Sequence, residues 1–249
     1  MRLKVIGCDV LARALYLYAA QSPHTIDMEL YRYGLHQHPN DLRARLQEAV
    51  DRTAGQGYSA VLLGYALCGK STHDLTARDT QLVIPRAHDC ITLFLGGRKR
   101  YQQQFEQFPG TYWYVQDYIE RDDGSGASLA IGAQTWADAE ALFDSYVEKY
   151  WRDNAEYLME MMGAWQSHYS RAGLIDLGVG DTHTVEARAQ GDAARRGWTY
   201  ERVPGDLGLI RRLLYCEWDA DFLVVPPGQT ITMTMDENIL GCQSCPNPE

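Results

Sequence analysis

Two short apolar runs, residues 59–63 and 81–85, constrain the fold of this chain more than any other feature. Uninterrupted runs of this length are typical of strands in a parallel sheet that is covered on both faces. A strand with one face in water would instead alternate between apolar and polar residues. The chain is therefore expected to contain a parallel sheet with helices packed against it.

Segments with strand and helix patterns alternate along both halves of the chain. In the first half, strands are predicted at residues 3–8 and 25–33, and helices at 11–20 and 39–53. The second half repeats this order, with strands at 173–177, 198–203 and 221–225 and helices at 183–196 and 206–215. The alternation predicts an α/β fold of two related doubly wound parallel-sheet lobes.

The segment between these halves has a different composition. Residues 101–120 are rich in aromatic side chains, and residues 136–151 and 154–169 have apolar positions at helical spacing. Two packed helices would bury such stripes, so a helical insertion is predicted here. The predicted domains are a first lobe at 1–100, the insertion at 101–170, and a second lobe at 171–249 that ends in a flexible tail.

Charge and hydropathy exclude two classes of protein. The formal net charge is −10, from 33 acidic and 23 basic residues, so the chain is expected to repel nucleic acid. Asp9 and Arg13 interrupt the apolar N-terminal segment, and no stretch approaches the roughly 18 apolar residues of a membrane span. We expect a cytoplasmic protein whose six cysteines are reduced and are kept for metal or redox chemistry.

Three cysteines follow predicted strands. Cys8 ends the first strand, Cys68 follows the run at 59–63, and Cys90 follows the run at 81–85. The carboxyl ends of parallel strands form the usual ligand crevice, so these thiols are predicted to converge on one metal ion. Zinc accepts sulfur and nitrogen together, and His88 lies two residues before Cys90, as a candidate fourth ligand or acid–base neighbour.

Several alternatives compete with this zinc hypothesis. Buried cysteines often act only as small apolar residues, and Cys216 is expected to be one of these, inside a helix. Three thiolates could equally hold an iron–sulfur cluster with one iron open to a ligand. Cys242 and Cys245 have the spacing of half a metal site, and we predict no role for them.

Residues 64–71 also match the phosphate-loop pattern G-x-x-x-x-G-K-[ST], which runs from Gly64 through Gly69 and Lys70 to Ser71. The pattern alone would indicate a nucleotide triphosphatase. A phosphate loop should open onto a substantial helix, whereas here the next predicted strand begins near Gln81. Nucleotide binding is therefore the weaker interpretation.

Four segments together resemble a prokaryotic family catalogued as domain of unknown function 1638. They are Gly64-Tyr65-Ala66-Leu67-Cys68-Gly69, Ile84-Pro85-Arg86-Ala87-His88-Asp89-Cys90-Ile91, Pro109-Gly110-Thr111-Tyr112-Trp113 and Phe222-Leu223-Val224-Val225-Pro226-Pro227-Gly228. The resemblance implies a genomic association with corrinoid-dependent methyltransferases, and it implies that the position of Lys70 is not reserved for lysine. It also implies that the position of His88 can be acidic in relatives.

The leading hypothesis is a zinc-thiolate protein of one-carbon metabolism, either a methyltransferase or an accessory to corrinoid-dependent methyl transfer. Its partners would be a small-molecule substrate or a methyltransferase–corrinoid protein. A non-enzymatic carrier of a metal or corrinoid is the alternative from another class. The predicted metal ligands are Cys8, Cys68, Cys90 and His88; the candidate catalytic residues are His88 and Asp89; the candidate cofactor-binding residues are Gly64, Gly69 and Arg86.

Overall fold

The computed structural model describes residues 1–121, 147, 152 and 169–244 of the chain. Its strands are β1 (Arg2–Cys8), β2 (Thr25–Tyr31), β3 (Ala60–Gly64), β4 (Leu82–Pro85), β5 (Thr111–Tyr114), β6 (Arg171–Asp176), β7 (Thr199–Pro204), β8 (Phe222–Val225), β9 (Gln229–Met233) and β10 (Leu240–Ser244). Its α-helices are α1 (Ala12–Gln21), α2 (Pro39–Asp51), α3 (Cys90–Phe94), α4 (Arg98–Gln107), α5 (Gln116–Glu120), α6 (His183–Arg196) and α7 (Gly208–Leu214). Short 3₁₀ helices cover Asp9–Leu11 and Tyr33–Gln37.

The chain divides into two compact units. The first unit contains Met1–Gln103, Leu177–Gly180 and Pro204–Glu249, and the second contains Gln104–Asp176 and Asp181–Val203. The division does not follow the predicted order of lobe, insertion and lobe, because the chain leaves the first unit and returns to it. Such a return depends on long-range pairing, which local sequence patterns do not report.

The first unit is built on a five-stranded sheet of order β2-β1-β3-β4-β8. The strands β1 to β4 are parallel to their neighbours, and β8 is antiparallel to β4. Every residue of β3 and β4 is buried, as their apolar composition predicted. The α/β fold class is thus confirmed.

Helices cover this sheet by ordinary crossover connections. Because β2 and β3 lie on opposite sides of β1, right-handed crossovers place α1 and α2 on opposite faces. Helix α7 contacts α1, β3 and β4, and α2 contacts β1. Buried leucines of α1 and α2, such as Leu15, Leu42 and Leu46, supply the apolar faces of these helices.

The second unit has a three-stranded sheet of order β5-β6-β7, in which β5 and β6 are parallel. Its core packs the sheet against one face of α6 through Tyr112, Tyr114, Ala172, Leu174, Val185, Ala189 and Ala193. The Tyr114 hydroxyl donates to the Asp192 carboxylate at 2.8 Å inside this core. The aromatic residues of the 101–120 segment therefore pack in a core, and part of this segment forms strand β5.

Three predictions about the second half need correction. Residues 222–225 do not join a second parallel sheet: β8 pairs antiparallel with β4 at the edge of the first. The tail is not loose up to Ser244, because β10 pairs with β9 in a hairpin. Cys216 is not in a helix, since α7 ends at Leu214 and Cys216 has a φ of +58°. The predicted helices at 136–151 and 154–169 lie outside the described residues.

None of the helices in the described part of the chain is long and apolar enough to cross a membrane.

Candidate functional site

The strand order of the first unit reverses next to β1. The chain runs from β1 to β2 on one side and then crosses to β3 on the other. In open α/β sheets, the crevice beyond the carboxyl ends of the strands at such a point is where ligands bind. Cys8 is the last residue of β1, and Cys68 lies four residues after the end of β3. Both thiols therefore belong to segments that border this crevice.

Two glycines let the strands approach closely just before these cysteines. Gly7 and Gly64 are register partners, and a Cβ atom on Gly64 would lie 3.2 Å from the Cα of Gly7. A Cβ atom on Gly7 would lie 2.9 Å from the Cδ1 atom of Leu15 in α1. Gly64, a predicted cofactor-binding residue, is thus placed at a packing contact between β1, β3 and α1.

Cys8 and His36 form a partly buried thiol–imidazole pair. The Cys8 side chain is 3% exposed, and its Sγ lies 3.5 Å from the Nε2 of His36. Burial lowers the pKa of His36, so the neutral imidazole is favoured. Neutral imidazole is the form that binds metals and accepts a proton from a thiol.

The backbone around His36 is held in place by Asp9 and Tyr65. The Asp9 carboxylate accepts a hydrogen bond from the Tyr33 amide at 2.9 Å, which ties the 3₁₀ helix Tyr33–Gln37 to the loop after β1. The Tyr65 ring centroid lies 6.0 Å from that of His36, and the Tyr65 hydroxyl donates to the Gly7 carbonyl at 3.2 Å. These contacts hold His36 beside the end of β1.

Sequence reasoning missed His36. It gave the residue no role, although the argument used for the cysteines applies to it as well. His36 follows β2, which is a parallel neighbour of β1, so it also lies beyond the carboxyl end of a strand. Extending that criterion from cysteine to histidine would have found it.

Cys68 lies in an unusual turn. Cys68, Gly69 and Lys70 all have positive φ angles, of 47°, 62° and 74°. The Cys68 amide donates to the His88 carbonyl at 3.0 Å, and the Ser71 hydroxyl donates to the Cys68 carbonyl at 2.9 Å. The loop after β3 is therefore joined to the loop after β4. Non-glycine residues in this conformation are costly and cluster at functional sites.

The pKa of the Cys68 thiol is raised well above its ordinary value. Burial is the main cause, negative charge on Cys8 and Asp89 adds to it, and a backbone hydrogen bond from Ala66 opposes it. Without a cation, such a thiol stays protonated and unreactive at neutral pH.

Several predicted site residues in the segment 86–90 have structural roles. Asp89 caps α3, since its carboxylate accepts from both the amide and the hydroxyl of Thr92 at 2.9 Å. Cys90 is the buried first residue of that helix. The His88 side chain is exposed to solvent. The Arg86 guanidinium donates to the carbonyls of Phe222, Asn238 and Leu240, so it binds the β9–β10 hairpin and β8.

The described residues contain no group of three or more His, Cys, Asp or Glu side chains already placed to hold a metal ion. What the structure does bring together is the pair Cys8 and His36, whose Sγ and Nε2 atoms lie 3.5 Å apart. Cys242 lies in β10 opposite Ile231, and Cys245 is outside the described residues.

The phosphate-loop pattern lacks the structure that its chemistry needs. Between β3 and β4, where every residue is described, no helix follows Lys70. The Ser71 side chain, which would hold magnesium, is buried and donates to a backbone carbonyl. Gly69 has a φ of +62°, so it serves the turn. This geometry does not favour nucleotide binding.

Stability at alkaline pH is expected to depend on Cys68. A thiol with a raised folded-state pKa keeps its proton in the folded protein at a pH where the unfolded chain has lost it. Its contribution to the free energy of unfolding is therefore fully present below about pH 8.5, and it is lost progressively as the pH rises above that value. The urea midpoint of the metal-free protein should fall more steeply between about pH 8 and about pH 10 than that of Cys68→Ser. Equal slopes would show that Cys68 titrates normally.

These observations define an α/β protein with a thiol–imidazole pair at the switch point of a mainly parallel sheet. The chain belongs to the family described as Protein of unknown function (DUF1638), whose model matches residues 30–214. The match confirms the family resemblance. It includes the motifs at 64–69, 84–91 and 109–113, with His36, Cys68 and Cys90, and it does not extend to Cys8 or to the motif at 222–228. Searches of curated proteins and of solved structures found no match.

Proposed function

We propose that the first unit binds a zinc ion through Cys8, Cys68 and Cys90 and serves methyl transfer in one-carbon metabolism. The observation that carries the proposal is the placement of Cys8 and Cys68, which follow adjacent parallel strands on either side of the switch point. Thiolates are soft ligands that zinc prefers, and a three-thiolate set leaves one position for another ligand.

The environment of Cys68 suits a metal ligand better than a nucleophile acting alone. Burial and nearby negative charge keep its thiol protonated, so a divalent cation would be needed to stabilise the thiolate. Because no three-ligand group is already formed in the described residues, the proposal requires Cys68 and Cys90 to turn toward Cys8 when the metal binds.

A zinc ion at this place would supply Lewis-acid activation of a thiol substrate, which ionises and becomes a methyl acceptor. The chain's own residues would form the walls of the crevice. Tyr65 is 1% exposed and its ring lies beside that of His36, so it would exclude water from one side of the imidazole. The genomic association that the family resemblance implies makes a methyltransferase or corrinoid protein the proposed partner.

Metal analysis of the freshly purified full chain, prepared without oxygen, tests the proposal. We expect about one zinc per chain, and loss of most of it in folded Cys8→Ser, Cys68→Ser and Cys90→Ser variants. Cys216→Ser is the matched control, since Cys216 follows α7 and lies in neither crevice loop. Circular dichroism verifies folding of each variant.

Three outcomes would contradict the proposal. A brown protein with iron and sulfide would indicate the iron–sulfur alternative. Retention of metal by all three variants, with loss in Cys242→Ser or Cys245→Ser, would place the site in the tail. A protein that binds zinc but turns over no methyl donor with any thiol acceptor would be a carrier.

A further inference from the structure

We propose that His36 is the nitrogen ligand of this metal site and that the Cys8–His36 pair is assembled before the metal arrives. The inference rests on the proposed zinc function and adds a fourth protein ligand to it, so a thiol substrate would have to displace one of the four ligands. It also replaces His88, the histidine favoured by sequence position. Three structural observations support it: the spacing of the pair, the contacts that hold it, and the exposure of His88.

The spacing of the pair matches that of two ligands on one zinc ion. Zinc–sulfur bonds of about 2.3 Å and zinc–nitrogen bonds of about 2.05 Å at a tetrahedral angle put the two ligand atoms about 3.6 Å apart. The Cys8 Sγ and the His36 Nε2 are 3.5 Å apart. A zinc ion could therefore bind both atoms with little movement of either side chain.

Independent parts of the first unit hold the pair at this spacing. Cys8 is fixed by the pairing of β1 with both β2 and β3. The segment of His36 is tied to the loop after β1 by the hydrogen bond from the Tyr33 amide to Asp9, and Tyr33 itself is buried. Preorganised ligands bind more tightly because less conformational entropy is lost on binding.

His88 does not share this environment. Its side chain is exposed, and its backbone carbonyl accepts the hydrogen bond from the Cys68 amide. The part of His88 that contacts the site is thus its backbone, which any residue could supply.

A thiol–imidazole hydrogen bond has the same spacing as two zinc ligands. The test must therefore distinguish a His36 that only hydrogen-bonds to Cys8 from a His36 that binds the metal. Metal-free protein is titrated with Co²⁺, whose visible absorption reports tetrahedral geometry and the number of thiolates, and zinc affinity is measured by competition with a chromophoric chelator. The variants are His36→Ala, His36→Cys and, as matched control, His88→Ala.

We expect His36→Ala to weaken zinc binding by at least about tenfold, the lower end of the loss seen even for groups that only hydrogen-bond to a metal ligand. His88→Ala should bind as the wild type does. His36→Cys should recover binding and gain sulfur-to-cobalt charge-transfer intensity, because a thiolate replaces the imidazole. A purely structural His36 would give no such gain.

Equal zinc affinity in wild type and folded His36→Ala would overturn the inference and leave the zinc proposal standing. So would loss of binding in His88→Ala alone. A wild-type protein that binds neither Co²⁺ nor Zn²⁺ would overturn the proposed function itself. If His36→Ala does not fold, the spectrum of His36→Cys decides: an added thiolate band supports His36, and an unchanged spectrum rejects it.

Discussion

Arg86→Met is expected to lower the free energy of unfolding by about 2–4 kcal/mol. A buried hydrogen bond from a charged group contributes about 1.5–3 kcal/mol, and the three bonds of Arg86 contribute less than this each because they are only partly buried. The guanidinium donates to the carbonyls of Phe222, Asn238 and Leu240, and methionine fills similar space without donating. Urea unfolding followed by circular dichroism measures the change.

The matched control is Arg78→Met. Arg78 pairs with Asp51 in an exposed salt bridge, so its loss should cost less than about 1 kcal/mol. Arg86→Met should also retain the metal content of the wild type, since the guanidinium that it removes binds the β9–β10 hairpin. A variant of unchanged stability that loses a bound ligand would instead assign Arg86 to the site, as the sequence predicted.

Leu62→Ala is expected to destabilise the protein by about 3–5 kcal/mol, the cost of a cavity in a well-packed core. Leu62 is in the middle of β3, is fully buried, and has strands on both sides. Val224→Ala in edge strand β8, where the side chain is 38% exposed, should cost less than about 1 kcal/mol.

Thermal and urea unfolding of both variants measure this difference. Similar losses for the two would mean that β3 is not the centre of the core. Because β3 carries the Cys68 loop, Leu62→Ala should also weaken zinc binding at temperatures where the sheet begins to unfold, and not below them.

Much of the secondary structure was predictable from local patterns. The apolar runs at 59–63 and 81–85 correspond to β3 and β4, and the helix at 183–196 has the predicted bounds. These elements were predictable because burial on both faces leaves a continuous apolar run and a helix leaves a 3.6-residue period. The strands β5, β9 and β10 were missed, since short hairpin and edge strands leave weaker patterns.

The candidate site was only partly predictable. That Cys8 and Cys68 follow neighbouring strands could be expected from the strand-end rule. Three other features could not be predicted: Asp89 caps α3, Arg86 binds the β9–β10 hairpin, and the His88 side chain is exposed to solvent. Each of these depends on partners far away in the chain or on the direction of a side chain. His36 was within reach of the rule and was overlooked.

By itself, the sequence determined the α/β class, the positions of most strands and helices, the family, and the cysteines that follow the strands. Tertiary structure alone decided that β8 pairs antiparallel with β4, that the chain forms two units by leaving and returning, and that His36 meets Cys8. The physical reason is the separation along the chain between the residues that interact. Hydrophobic periodicity is set by each segment's own burial, whereas strand pairing and the 3.5 Å contact between Cys8 and His36 join residues far apart in the chain, and only the packed fold selects them.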